Sequence, residues 1–229
     1  MLKRVFTILF KTILWFLVIT VLWVLVYSIV PVPYTPLMAI RSFEGNTNYQ
    51  TKHSWTPLKD ISSELQLAVI CAEDQLFLDH NGFDLKAIEK AFNNNKTGNR
   101  IKGGSTISQQ TAKNAFLWPE RSWLRKGMET YFTFLIENLW TKERILEVYL
   151  NSIEMGDGVF GAAAASNYWF HKQPKHLNRY EAASIAAILP NPRKFSANPR
   201  TAYIEKRKTW IVNQMRNFGT FVIAENSSK

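Results

Sequence analysis

The sequence predicts a mostly α-helical body carried behind one transmembrane helix. Residues 12–30, TILWFLVITVLWVLVYSIV, run nineteen positions without a formal charge. Further along, apolar residues recur every three or four positions, the helical spacing. Alternating runs that would mark strands are not convincing anywhere.

The apolar run comes first. At 1.5 Å per residue it reaches about 28 Å, close to the hydrocarbon thickness of a bilayer. Every face is apolar, unlike a helix packed on one side of a core. It exceeds the roughly 7–15 residue apolar region of a cleaved signal, and no small-x-small cleavage site is obvious. It therefore reads as a retained anchor. Lys3, Arg4 and Lys11 precede it, whereas Arg41 is the only cation between the span and Lys52. That asymmetry predicts a cytoplasmic tail over 1–11 and an exported body.

Pro31, Pro33 and Pro36 make a stiff exit from the membrane. Residues 31–58 lack a long clean period and read as a membrane-proximal linker or jaw. The main domain is expected over 59–220, with a tail over 221–229. Ser63 is expected to cap a helix whose first turn begins at Glu64. Leu65, Ala68, Val69, Ala72 and Leu76 share its apolar face. A short second helix is expected over 85–92. NNNKTGNRIKGG, residues 93–104, reads as a mobile loop. Helices follow over 105–116, 125–139, 142–149, 161–170 and 179–189, the last stopped by Pro190 and Pro192. A final amphipathic helix covers 201–218. The body is large enough for its own core.

Lys and Arg number 28 against 18 Asp and Glu, a net charge of +10. Such a chain suits nucleic acid, anionic lipid or a phosphorylated substrate. Export and the lack of a recognised nucleic-acid motif argue against nucleic acid. Cys71 is the only cysteine, which excludes an internal disulfide and CxxC chemistry. Hydrophobic residues at 46% exclude a disordered chain.

Glu73 has Val69, Ile70, Leu76 and Phe77 as neighbours at three and four residues. Burial there would raise its pKa and suit acid–base work. A partly exposed helix glutamate beside Asp74 fits the same residues. His80 and Asp84 are four apart, but no third ligand is spaced for zinc; a structural His–Asp hydrogen bond is the expectation. Ser105 to Lys113 opens a helix after two glycines, where backbone N–H groups can hold phosphate. The spacing is not that of a P-loop. Glu129 reads as an active carboxylate or as the i, i+4 partner of Arg125 on a solvated face. Lys142 reads equally as a ligand contact or a surface charge.

Taken in order, AEDQLFLDHNGFD, GGSTISQQTAKN, RKGME, TKERILEVYLN, GAAAASNYWFHK and EAASIAAILPNP resemble the peptidoglycan glycosyltransferases. The likeness covers about residues 66–218. No transpeptidase segment follows, so the chain looks like the monofunctional branch found in Gram-negative bacteria. The resemblance implies a lysozyme-like fold with a large lobe and a membrane-proximal jaw lobe. It implies polymerisation of lipid II onto a growing chain on undecaprenyl pyrophosphate, with inversion, at the periplasmic face of the inner membrane. By motif, Glu73 resembles the general base and Glu129 the second glutamate, which orients the donor site or helps hold a divalent cation. Lys113 and Arg125 resemble the diphosphate-binding cations, and Ser105, Gln110 and Lys142 match positions near the ligand. No cofactor is required; magnesium or manganese would at most assist the pyrophosphate, without a dedicated site. The partners implied are lipid II, the nascent lipid-linked glycan and the membrane, alongside cell-division or elongation proteins that the residues do not name. The competing readings are a lytic transglycosylase or hydrolase of the same polymer, and a non-enzymatic scaffold that binds lipid II. The GGSTISQQTAKN run with Lys113, together with Arg125, counts against the hydrolase, because cleaving a glycan needs no diphosphate cradle.

Overall fold

A computed structural model describes residues 2–44, 51–84, 89, 104–120, 122–219, 221 and 223. Helix α1 spans Leu2–Ile29. It starts well before the expected span at residue 12, because the basic residues ahead of that span are ordinary helix formers. It is the one helix among the described residues long and apolar enough to cross a membrane.

The last turns of α1 are docked on the body. Thr20 and Tyr131 share a hydroxyl hydrogen bond of 2.7 Å. The Trp140 indole donates to the Val24 carbonyl at 2.9 Å. Arg144 donates to the Tyr27 carbonyl through Nε (3.0 Å) and Nη2 (2.8 Å), and to the Val30 carbonyl at 2.6 Å. The guanidinium thus fills the acceptors that a helix leaves unpaired at its C-terminus, where the helix dipole also favours a cation.

Residues 31–58 contain a helix and a strand. Helix α2 covers Pro36–Glu44, with proline at its first position, where a missing N–H costs nothing. The Met38 amide donates to Thr35 Oγ1 at 3.3 Å. Strand β1 (Lys52–His53) pairs in parallel with β2 (Val159–Phe160). At two residues each, neither strand is long enough to show alternation.

Helix α3 covers Ser63–Glu73, and its cap is Ser62, not Ser63. Ser62 Oγ accepts from the Glu64 amide and donates to the Leu177 carbonyl, so the cap doubles as a tertiary tie. Helices α4 (Ile107–Phe116), α5 (Trp123–Leu139) and α6 (Lys142–Ser152) follow. Ser122 caps α5, whose first residue, Trp123, lies two residues ahead of the expected start at Arg125. Helices α7 (Gly161–Phe170), α8 (Arg179–Ile188) and α9 (Ala202–Phe218) complete the body. Gly161 is required as glycine: its φ is +79°, and a Cβ there would stand 2.7 Å from the Asn151 carbonyl oxygen.

The core is built on α3, buried from Leu65 to Cys71 and packed against α8 and α9. Helix α4 packs between α5 and α6. Phe116 and Leu117 are core residues, whereas Trp118 and Trp123 are exposed, Trp123 to 93%. The expected helix over 85–92, apart from Glu89, and the loop over 93–102 lie outside the described residues.

Candidate active site

Two helix ends meet at the site. Helix α3 terminates at Glu73, and α4 begins after Thr106. Asp74 joins them. Its buried carboxylate accepts from the Ile107 amide at 2.9 Å and from His80 Nε2 at 2.9 and 3.0 Å. His80 Nδ1 in turn accepts from the Gly82 amide at 3.1 Å. The expected histidine–aspartate bond therefore exists, but with Asp74 and not Asp84. The turn after Glu73 brings Asp74 back to His80, an arrangement invisible to a rule that compares residues four apart.

The start of α4 is held by a capping box. Thr106 Oγ1 accepts from the Gln109 amide, and Gln109 Oε1 accepts from the Thr106 amide. Thr106 Oγ1 also donates to the Gly82 carbonyl at 2.7 Å. Such caps contribute about 1 kcal/mol each. Here they also fix the direction in which Gln110 and Lys113 leave the helix.

Glu73 sits in a recess. Gln110 Nε2 donates to its Oε2 at 3.1 Å, and an Arg207 guanidinium nitrogen lies 3.8 Å from its Oε1. Burial raises the Glu73 pKa above the usual carboxylate value; the Gln110 hydrogen bond and the charges of Arg207 and Lys113 oppose the rise without cancelling it. The result is a carboxylate that is more basic than an exposed one.

Beside Glu73 lies a polar cleft of about 240 Å³, lined by Ser105, Gln109, Gln110, Lys113, Arg125, Lys126 and Glu129, with Pro119. Arg125 Nη1 meets Glu129 Oε2 at 2.6 Å, and Lys126 Nζ meets Oε1 at 2.5 Å. Glu129 and Arg125 are both buried. The i, i+4 pair exists, but in the wall of the cleft and not on a solvated face. Three cations against one carboxylate leave the cleft positive. A larger, more apolar cleft of about 670 Å³ beside Leu58, Arg144 and Phe221 is lined by none of these groups.

The structure thus brings together Ser105, Gln110, Lys113, Arg125 and Glu129, and Gln110 links them to Glu73. Lys142 stands apart from this lining. Its Nζ donates to Glu137 Oε1 at 2.9 Å and to the His80 carbonyl at 2.6 Å, and it lies 4.7 Å from the centre of the Phe77 ring. It braces the turn after Glu73. Sequence reasoning missed Asp74, Lys126 and Arg207. Lys126 follows Arg125 directly and was readable as a second cation one helical turn ahead of Glu129. The other two depend on long-range packing.

A helical body behind one helix long and apolar enough to cross a membrane, with a half-buried carboxylate of raised basicity at the edge of a cationic cleft, has the chemistry of a transferase acting on an anionic substrate. The chain belongs to the transglycosylase family, whose pattern matches residues 39–216. It is 52% identical over 208 residues to the biosynthetic peptidoglycan transglycosylase of Bdellovibrio bacteriovorus, covering 90% of this chain and 83% of that protein. The protein of that name from Salmonella agona is 50% identical over 198 residues, 84% of this chain and 82% of its own. The one from Pseudomonas entomophila is 49% identical over 222 residues, 96% and 94% of the two chains.

Proposed function

We propose that this chain is a peptidoglycan glycosyltransferase that polymerises lipid II into glycan strands. The observation that carries the reading is the junction of Glu73 with the cationic cleft through Gln110. In this reading Glu73 accepts the proton of the acceptor's 4-hydroxyl as that oxygen attacks the anomeric carbon of the donor. The bond to the undecaprenyl diphosphate breaks on the opposite face, with inversion. A positioned base contributes roughly 10²–10⁴ in rate to such a step. Arg125 offers a fork to the departing diphosphate oxygens, and Lys113 and Lys126 act as point charges. Ser105 and Gln110 position the ligand at the rim.

Glu129 serves here as the residue that aims Arg125 and Lys126. Both of its oxygens are engaged by those cations. That use leaves it poorly suited to hold magnesium or manganese. The transfer itself needs no cofactor.

The same reading assigns α1 as a single-pass inner-membrane anchor with a cytoplasmic N-terminus and a periplasmic catalytic domain. The cation asymmetry around the span supports it. The test is polymerisation of labelled lipid II by the detergent-solubilised full chain. Lysozyme-sensitive strands are expected. Shortening of preformed glycan, with no polymer from lipid II, would support a hydrolase instead.

A further inference from the structure

Arg207 lies outside the cleft and has no part in the mechanism above. It projects from α9, the helix that packs on α3, and its guanidinium nitrogen stands 3.8 Å from Glu73 Oε1. That distance is too long for a hydrogen bond and short enough for a direct charge interaction. The other oxygen, Oε2, is held by Gln110 at 3.1 Å. The Arg207 side chain is only 26% exposed, and its Nε is buried without a partner. A buried donor left unpaired is costly, so this arginine is held in place at a price in stability. Its helix is tied to the turn after Glu73 by a hydrogen bond of 3.4 Å, which Gln75 Nε2 donates to Gln214 Oε1.

Building on the general-base role assigned to Glu73 above, we propose that Arg207 is a positioning residue for that base: its charge steadies Oε1 from 3.8 Å without occupying the lone pair that takes the proton. Gln110 alone, being neutral, can orient Glu73 but supplies no charge to hold it anionic in an apolar recess. The charged groups that face Glu73 come from several elements. Asp74, next to it, is committed to His80 and the Ile107 amide. Lys113 faces it from α4 and Arg207 from α9, both favouring the anion. The buried phenol of Tyr149 on α6 donates to Gln110 and is raised well above its usual pKa, so it stays neutral. On α8, Arg179 and Glu181 pair with Glu64 and Lys172 instead.

The experiment uses the full-length chain with Arg207→Gln, Arg207→Lys and Glu73→Gln. Two readouts are taken: the pH profile of lipid II polymerisation, and the infrared carboxyl band that disappears in Glu73→Gln. With Arg207→Gln, the acid limb of kcat and the infrared titration should both move to higher pH by at least about one unit, with KM for lipid II little changed. Arg207→Lys, which keeps the charge, should restore much of the wild-type profile. A pH-independent loss, or a rise in KM with the infrared titration unmoved, would overturn the proposal and make Arg207 a substrate contact or a packing residue. The infrared shift is read without turnover. Its appearance in a protein that fails to polymerise lipid II would therefore uphold the Arg207–Glu73 coupling while removing the polymerase reading.

Discussion

The side-chain amide of Gln110 donates to Glu73 Oε2 at 3.1 Å, while its carbonyl oxygen accepts from the Tyr149 hydroxyl at 3.4 Å. One residue therefore faces both the base and the cleft, with its amide orientation set by a buried phenol. Gln110→Ala removes the donor and frees the Glu73 carboxylate to rotate. A hydrogen bond to a charged group is worth about 1.5–3 kcal/mol, so kcat should fall about 10- to 100-fold. Because that bond also opposes the rise in the Glu73 pKa, the acid limb of the pH–rate profile should move upward. Steady-state polymerisation across pH checks both.

Glu73 makes activity and stability oppose each other. Its folded pKa is raised by burial. The folded state then holds the proton more tightly than the unfolded chain, so stability falls as pH rises from the ordinary glutamate value through the folded one. At neutral pH the ionised form is a cost to the fold. Glu73→Gln should therefore raise Tm at neutral pH and lose that advantage in acid, below the unfolded pKa. Calorimetry of the two proteins at acid and neutral pH measures the difference.

Glu129 holds two cations with one buried carboxylate. Glu129→Gln leaves Arg125 buried opposite a neutral amide. Breaking a buried pair from one side costs about 3 kcal/mol or more, so denaturant unfolding should show a clear loss. KM for lipid II should also rise, because Arg125 and Lys126 lose their aim.

Lys142 is engaged by groups of the protein itself. It joins Glu137, which accepts from Ser108, to the His80 carbonyl. Lys142→Met should cost about 2 kcal/mol of stability and move KM little. A large rise in KM at unchanged stability would instead return Lys142 to the ligand.

Arg144 ties the end of α1 to α6 through the Tyr27 and Val30 carbonyls. Arg144→Ala should weaken this tie by about 2 kcal/mol. Limited proteolysis should then cut faster within residues 30–36, which the docked helix end protects.

Much of this was legible in the sequence, for local reasons. The apolar face of α3, the small-residue helix from Gly161 and the prolines after α8 all act within a few residues of themselves. The motif order singles out Glu73, Lys113, Arg125 and Glu129 from local sequence alone. What escaped was set by distance along the chain. Asp74 reaches Ile107 across 33 positions, and Arg207 meets Glu73 only because α9 packs on α3. The sign of Lys142 was visible, but its partners were fixed by how α5 and α6 close over the turn at His80. Helix α2 was hidden because three prolines near the exit read as extended chain, although the last of them starts a helix.

The most direct test of the account compares wild type with Glu73→Gln on labelled lipid II, with Tm measured on the same samples. The account predicts a fall of at least about a hundredfold in strand formation from a variant that is folded and no less stable at neutral pH. Polymerisation at the wild-type rate by a folded Glu73→Gln protein would contradict it, and the base would have to be sought elsewhere.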